Sequence, residues 1–437
     1  MTNAEIFKWT LYAFPFIFIG LYALWQKRKS FKNYKTLKDN EEAGLTEPAS
    51  LHPVLKEAEC IGCGACVAAC PEGKVLGLIK GKAHLINPTK CIGHGACKRA
   101  CPFNAIELVF GTAKRGMDIP NVKETFETNV PGIYIAGELG GMGLIRNACE
   151  QGRQAMESII TAVSKTKNKD FDVVIIGAGP SGFAATLGAH EKGLKYKTIE
   201  QDSLGGTVFK FPRGKLVMTA PVNLPIIGKV NFRETTKEKL LSFWQKVEKK
   251  TGVKISYREK MDTITPYKEG FIVKTPKGEY KTRTVLLSIG RRGTPRKLNV
   301  TGEDQPKVVY SLIDPEQYIG QHVLVVGGGD AALEAATSIA DEKGTTVSIS
   351  YRSEAFSRAK EKNRQKVDAQ AKSGKLKLYM SSTVKEIQKD KVILDQQGEI
   401  HEFKNEGIIV CAGGILPTPF LKEIGIQVDT KHGEIEN

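Results

Sequence analysis

Eight residues between positions 60 and 101 carry the most specific chemistry in this chain. Cys60, Cys63, Cys66 and Cys70 form a first run, closed by Pro71. Cys91, His94, Cys97 and Cys101 form a second, closed by Pro102. A C-x2-C-x2-C-x3-C-P spacing lets three thiolates wrap one iron–sulfur cube while the fourth points away to a neighbouring cube. The second run repeats the positions of the first, with His94 where its second cysteine would stand. A structural zinc site closes on four ligands; two interleaved runs, each ending in Pro, argue against it. Seven of the nine cysteines lie in this stretch, which marks metal ligation in a reducing compartment, not a disulfide framework. Cys149 and Cys411 stand alone among apolar or small residues and read as buried structural thiols.

Over residues 56–107 this pattern resembles the bacterial two-cluster ferredoxin module. The resemblance implies one [4Fe-4S] cluster on Cys60, Cys63, Cys66 and Cys101. It implies a second cluster, [4Fe-4S] or [3Fe-4S], on Cys70, Cys91 and Cys97. His94 is then either the fourth ligand or a bystander beside a three-iron or open-iron cluster. A neutral imidazole ligand leaves a cluster less negative and easier to reduce, as in Rieske centres, so the second cluster is expected to have the higher potential.

From Asp172 the chain reads as strand, glycine turn, helix and strand. Gly177-x-Gly179-x-x-Gly182 encloses Pro180 and Ser181. Such a turn brings a pyrophosphate close to a helix N-terminus. Glu200, at the end of the second strand, is placed for ribose hydroxyls. A second unit starts at His322, with Gly327-x-Gly329-x-x-Ala332 and Asp330 at the head of its helix. The position matching Glu200 falls near Tyr351 and Arg352, where no acid occurs. Arg352 with Arg358, followed by Lys360, suits a ribose 2′-phosphate, which favours NADPH over NADH. The competing reading of these cations is solvated surface charge.

Two such units, spanning residues 112–437, resemble the thioredoxin-reductase-like family of FAD/NAD(P)H oxidoreductases. The likeness extends to Leu204-Gly205-Gly206, to Leu287-Ser288-Ile289-Gly290 and to Val410-Cys411-Ala412-Gly413-Gly414. It implies FAD on the first fold, with Gly205 and Gly206 among its contacts, and the nicotinamide nucleotide on the second. The chain departs from the family twice. The C-x-x-C pair that thioredoxin reductases carry before the second glycine turn is missing from VVYSLIDPEQYIGQ. Disulfide reduction of that type then has no nucleophile, and the pattern is closer to the family's ferredoxin–NADP reductase branch. The second departure is one of order. The family ends in T-x-x-P-G-I-Y-A-x-G-D and a helix; here that segment comes early, as Thr128 to Glu138 (TNVPGIYIAGE), with Glu138 in place of Asp. The family resemblance thus implies a circular permutation in which residues 111–165 complete the FAD fold, with Gly137 and Glu138 at the flavin. Phe209 to Arg213 is expected to form a flavin-edge loop, and Gly293–Pro295 with Gly413–Gly414 a hinge.

The elements that position these groups begin with an anchor. Trp9 to Trp25 carries no charge, and as a helix it spans about 25 Å. Lys27, Arg28, Lys29, Lys32, Lys35 and Lys38 follow it. A cleaved signal peptide would place its basic residues first and a small-residue cleavage site last. The expected layout is a single-pass transmembrane helix over 6–26 in the cytoplasmic membrane, with the soluble domains on the cytoplasmic side. A basic linker (27–55) and the two-cluster module (56–110) come next. The permuted segment (111–165), the FAD domain (166–294), the NAD(P)H domain (295–411) and a return to the FAD domain (412–437) complete it. The net charge is +16, but no basic block is interleaved with stacking aromatics, which argues against nucleic acid. The excess suits phosphate-bearing cofactors and an acidic redox partner.

The expected fold class is therefore α/β: two Rossmann-like dinucleotide-binding domains, a small ferredoxin-like α+β iron–sulfur module and one N-terminal transmembrane helix. The expected enzyme passes electrons between NADPH, FAD, two clusters and an external acceptor: a ferredoxin, a quinone or a membrane redox protein. A homodimer is compatible with this family. The competing readings are a redox sensor or scaffold without turnover, and a disulfide reductase using Cys149.

Overall fold

The computed structural model describes residues 3–433 except 43, 44, 47, 49, 50, 92, 94, 114, 115, 142, 164–169, 219, 220, 232, 233, 292 and 358. For residues 3–13, 15, 218 and 234 it describes the backbone alone. His94 and Arg358 therefore lie outside the described residues. The chain divides into two units, Met1–Arg115 with His432–Asn437, and Gly116–Lys431.

In the first unit, helix α1 (Asn3–Glu42) does not end where its apolar run ends. The polar linker expected from residue 27 is corrected: it stays helical for another four turns. Residues 26–42 contain neither Gly nor Pro, so nothing in the backbone breaks the helix. Their side chains also dock. The Asn33 amide donates to Leu78 O at 2.9 Å and the Asn40 amide to Ile86 O at 2.9 Å. Ser30 Oγ accepts from Lys80 N at 3.0 Å. Ahead of this docked part, Phe14 and most of Phe16–Trp25 are exposed. Among the described residues, no helix is long and apolar enough to cross a membrane.

The rest of this unit is a small α+β module. Strand β1 (His52–Leu55) is followed by helix α2 (Ala65–Ala69), β2 (Leu76–Ile79), β3 (Lys82–Leu85), α3 (Ala96–Arg99) and β4 (Ile106–Val109). Outer strands β1 and β4 pair antiparallel, as do inner strands β2 and β3. Val75, Leu76, Ala83 and Ile106 pack with Cys66, Cys91 and Cys97 into its core.

The second unit opens with β5 (Met117–Pro120), β6 (Ile133–Ile135) and helix α4 (Ile145–Val163). The first nucleotide fold follows as β7 (Phe171–Ile176), α5 (Pro180–Glu191) and β8 (Tyr196–Ile199). Short strands β9 (Leu216–Met218), β10 (Val222–Leu224), β11 (Gly228–Val230) and β12 (Glu234–Thr236) precede α6 (Lys237–Thr251) and β13 (Ile255–Ser256). A meander, β14 (Thr263–Tyr267), β15 (Gly270–Thr275) and β16 (Gly278–Leu287), completes the sheet. Its order is β13-β8-β7-β16-β15-β14, and β6 lies parallel to the end of β16, Ile133 opposite Val285. Helix α4 packs on α5 so closely that a Cβ on Gly152 would stand 2.0 Å from Ser181 O.

The nucleotide fold then recurs. β17 (Thr294–Pro295) and β18 (Val308–Val309) lead to β19 (His322–Val326), α7 (Asp330–Ala340), β20 (Thr346–Tyr351), α8 (Glu361–Lys372) and β21 (Leu376–Met380). A three-stranded sheet, β22 (Ser382–Ile387), β23 (Lys391–Gln396) and β24 (Glu399–Lys404), precedes β25 (Gly407–Val410). The parallel sheet runs β18-β25-β19-β20-β21. β26 (Gly414–Ile415) pairs with β17 as a two-stranded connector. Helix α9 (Thr418–Glu423) and β27 (Val428–Lys431) return to the first fold, where β27 pairs with β5 and Leu421 joins the core of Ile133, Ile135 and Val174.

The α4–α5 contact is testable. Gly152→Ala inserts a methyl against backbone, and overpacking of this kind costs about 1–3 kcal/mol. Urea unfolding should show a lower midpoint; an unchanged midpoint would mean that the two helices do not meet at Gly152.

Candidate functional site

The seven described cysteines of the first unit separate into two groups in space. Burial pushes the Cys66 thiol up to about 11, opposed by the Val67 N–H, and the nearby Cys60, Cys63 and Cys101 thiols raise it further. Burial likewise pushes Cys91 up to about 11, with Cys97 and Cys70 beside it. Cys97 is pushed up by burial, again with Cys70 close by. Cys60, Cys63, Cys66 and Cys101 line one small cavity together with Ile61, Phe103 and Ile106. Among the described residues no three His, Cys, Asp or Glu side chains converge on the position of a single ion. Thiols crowded in an apolar setting are costly to ionise alone, and a cationic iron–sulfur core offsets that cost, so the donor sets fit such clusters. Backbone N–H groups add to the fit: Ala83 N lies 3.4 Å from Cys60 Sγ, and such bonds tune cluster potentials.

The two loops share one backbone design. Gly62 and Gly64 flank Cys63 at φ +75° and +79°; Gly93 and Gly95 flank position 94 at φ +77° and +71°. These are left-handed values that glycine adopts without strain. At Gly62 a side chain is also excluded by contact, since its Cβ would meet Gly81 O at 1.9 Å.

In the second unit, four parallel strands end at one edge. β6 runs into Gly137 and Glu138, β16 into Ser288, β7 into Gly177 and β8 into Glu200. This is the crevice outside the carboxyl ends of a doubly wound sheet, where ligands of such folds bind. Gly177 sits at φ +99°, where a Cβ would press on Ser288 O at 2.5 Å; at Gly182 a Cβ would meet Gly177 O at 1.8 Å. Nothing lies nearer than 4.0 Å to a Cβ built on Gly179, so the loop is open on that side. Pro180 opens α5, and Ser181 Oγ lies 3.3 Å from Ser288 Oγ. Gly205 N donates to Ala178 O at 2.9 Å, and Gly206 packs on Gly179, which brings the Gly205–Gly206 turn to the same loop. Glu200 is buried and accepts from Ala178 N at 2.7 Å and Asp202 N at 2.9 Å. Burial raises its pKa, against those two bonds. Each oxygen keeps a lone pair for a ribose hydroxyl. Glu138 is half-buried at the start of a short 3-10 turn.

No motif marked Gln151, a residue of α4 whose Oε1 accepts from Gly137 N at 2.9 Å. The Phe209–Arg213 loop has partners that sequence order did not suggest. Lys237, buried at the start of α6, donates to Phe211 O. Arg213 pairs with Asp314 at 3.5 Å and Glu316 at 3.3 Å, and Lys215 with Glu334 at 2.5 Å. That loop therefore fastens the first nucleotide fold to the second.

In the second fold, Gly327 (φ +141°) turns tightly against Cys411 O, and Gly329 is open. Ala332 is buried on the inner side of α7. Asp330, at the head of α7, has its Oδ1 accepting from Lys360 N at 2.7 Å and the Asn363 amide at 2.8 Å. Arg352 is exposed just after β20. Tyr351 covers the outer side of the glycine loop, where a Cβ on Gly328 would meet its ring at 2.4 Å, and stacks on Phe356 with centroids 5.5 Å apart.

Residues 174–436 match the family described as pyridine nucleotide-disulphide oxidoreductase. The chain belongs to that family. A 4Fe-4S dicluster domain matches residues 52–102. The protein is therefore an enzyme, an NAD(P)H oxidoreductase of flavin-dependent type with an iron–sulfur domain. The ferredoxin–NADP reductase of Ignicoccus hospitalis is 29% identical over 219 residues, 49% of this chain and 66% of that protein. The chain thus spans just under two thirds of that relative's length. The ferredoxin–NADP reductase of Picrophilus torridus is 29% identical over 285 residues, 62% of this chain and 81% of its own. The bacillithiol disulfide reductase structure from Bacillus cereus shares the fold, with a TM-score of 0.53 at 22% identity over 60% of this chain and 83% of that one.

Cys149 bears on the disulfide chemistry in the family's name. It is 2% exposed on α4, and burial pushes its thiol up to about 12. A thiol in that state supplies almost no thiolate near neutral pH. Alkylation of the native protein at pH 8 should leave Cys149 unmodified until denaturant is added; rapid labelling of the folded protein would restore it as a candidate nucleophile. At the crevice of the first nucleotide fold, Glu200→Ala leaves two backbone N–H groups without their acceptor. FAD affinity should fall about tenfold, or about 1.4 kcal/mol, read by flavin retention on gel filtration. Undiminished retention would remove Glu200 from the cofactor site.

Proposed function

We propose that this enzyme exchanges electrons between NADPH and an external acceptor at the cytoplasmic face of a membrane. The observation that carries this reading is the pairing, in one chain, of a family nucleotide fold lacking C-x-x-C before its second glycine turn with two separated groups of thiols of iron–sulfur type. FAD, when bound, supplies the conversion between two-electron hydride chemistry and one-electron cluster chemistry. The chain's own residues bind and orient. Glu200 and the Gly177–Gly182 turn hold the flavin's dinucleotide, and Arg352 with Arg358 meets the NADPH 2′-phosphate. Ferredoxin, quinone or a membrane redox protein suits the acceptor side, and the chemistry runs in either direction.

Circular permutation belongs to the same proposal. Its support is the parallel pairing of Ile133–Ile135 with Val285–Leu287 and the seating of Gly137 against Ser181. Glu138 then faces the flavin in the role of the family's Asp. His94 is proposed as a ligand of the Cys70, Cys91 and Cys97 cluster, on the match between its flanking glycines and those of Cys63. The membrane reading is supported by the uncharged Trp9–Trp25 run and the basic residues after it.

Anaerobic mixing with NADPH or NADH, followed optically and by EPR, tests the central claim. NADPH should bleach the flavin and then reduce the clusters, and Arg352→Ala should weaken NADPH use about tenfold while sparing NADH, the scale of one lost charge-assisted hydrogen bond. Flavin that binds but never bleaches would support a redox sensor instead.

A further inference from the structure

Helix α1 is continuous from its exposed aromatic run to its docked end, and that continuity sets distances. Phe14 and the large apolar residues from Phe16 to Trp25 are 54–77% exposed. The exposed Lys27, Arg28, Lys29, Lys32 and Lys35 follow immediately, with Lys29 Nζ 5.1 Å from the centroid of the Trp25 ring. Aromatic and aliphatic surface followed by cations matches a bilayer with anionic headgroups. Five residues beyond Trp25, about 7.5 Å along the axis, Ser30 already accepts from Lys80 N. Asn33 follows on Leu78 O and Asn40 on Ile86 O. Asn33 fills the place where a side chain on Gly77 would go, 2.8 Å away.

These contacts rank the two cluster sites along the helix. The Lys80–Gly81 turn held by Ser30 is also the seat of the first cysteine loop. Gly81 O touches the Cβ position of Gly62, Lys82 Nζ donates to Cys60 O at 2.6 Å, and Ala83 N approaches Cys60 Sγ. The second cysteine loop starts at Cys91, just past Ile86, which meets the helix at Asn40. Asn40 lies ten residues, about 15 Å, farther from the aromatic run than Ser30.

We infer that α1 is a rigid strut: its Phe14–Trp25 segment seats in an anionic bilayer and holds the Cys60, Cys63, Cys66 and Cys101 site as the membrane-proximal cluster. That site is then the port for a membrane-borne acceptor, which gains one electron for each that the cluster loses. The inference rests on the membrane reading above and adds which cluster faces the lipid.

The test uses the loaded full-length protein and phosphatidylcholine vesicles with and without phosphatidylglycerol. Wild-type protein should sediment with the anionic vesicles, and hydrogen exchange should be slow throughout residues 26–42. With nickel-chelating headgroup lipids present, EPR relaxation of the Cys60-site cluster should be enhanced several-fold more than that of the other. A six-residue Gly-Ser insertion between Gln26 and Lys27 should keep vesicle binding and abolish that difference. Failure to sediment would overturn the membrane reading itself, and a dimer by light scattering would assign the aromatic run to a second copy. Sedimentation with equal relaxation of both clusters, or fast exchange over 26–42, would overturn the strut alone.

Discussion

A ladder of backbone hydrogen bonds across one sheet edge holds the crevice of the first nucleotide fold together. Ala136 N donates to Leu287 O, Ser288 N to Ile176 O, Gly177 N to Ile199 O and Glu200 N to Ser256 O. Each bond joins the end of one parallel strand to the next, so four segments remote in sequence deliver Gly137, Ser288, Gly177 and Glu200 to one line. A slip of one residue in any strand would turn its side chains to the opposite face. The close approach of α4 and α5 belongs to the same constraint. Ser181 meets Gly152 with its backbone and Gly137 with its side chain, so the helix that carries the phosphate turn is wedged between β6 and α4. The early segment at 116–163 is thereby built into the first nucleotide fold.

The iron–sulfur unit depends on a different economy of space. Three of its thiols, Cys66, Cys91 and Cys97, are themselves core residues, packed with Val75, Leu76 and Ile106. Burial disfavours the ionised forms of Cys66, Cys91 and Cys97, so a cationic core held by the thiols would stabilise both the site and the fold. Left-handed glycines on either side of Cys63 and of position 94 let each loop double back around its sulfurs.

Much of this was legible in the residues because the signals are local. Cysteine spacing depends on a loop of a few residues, and glycine spacing on one strand–turn–helix. Where the signal was charge alone, it did not name the partners. Asp330 heads a helix at the second glycine turn, and its bonds to Lys360 N and the Asn363 amide come from a segment thirty residues on. Arg213, read from sequence as the end of a flavin-edge loop, pairs with Asp314 and Glu316 of the other nucleotide fold, and Lys215, which no motif marked, pairs with Glu334. Gln151 had no signal, because its acceptor role exists only once α4 lies under Gly137.

Chain chemistry on its own thus set the ligand types, the two nucleotide turns and the apolar run at the start, since each is encoded within a few neighbouring residues. The three-dimensional arrangement settled what depends on distant partners. It sorted the cysteines into two groups and joined Ile133–Ile135 to Val285–Leu287. It also turned the basic stretch after Trp25 from a tether into a docked helix. That last difference has a plain cause: a run of Lys, Asn and Glu looks like linker by polarity, but Ser30, Asn33 and Asn40 recur on the face that finds backbone partners on β2, in the turn that follows it and just past β3.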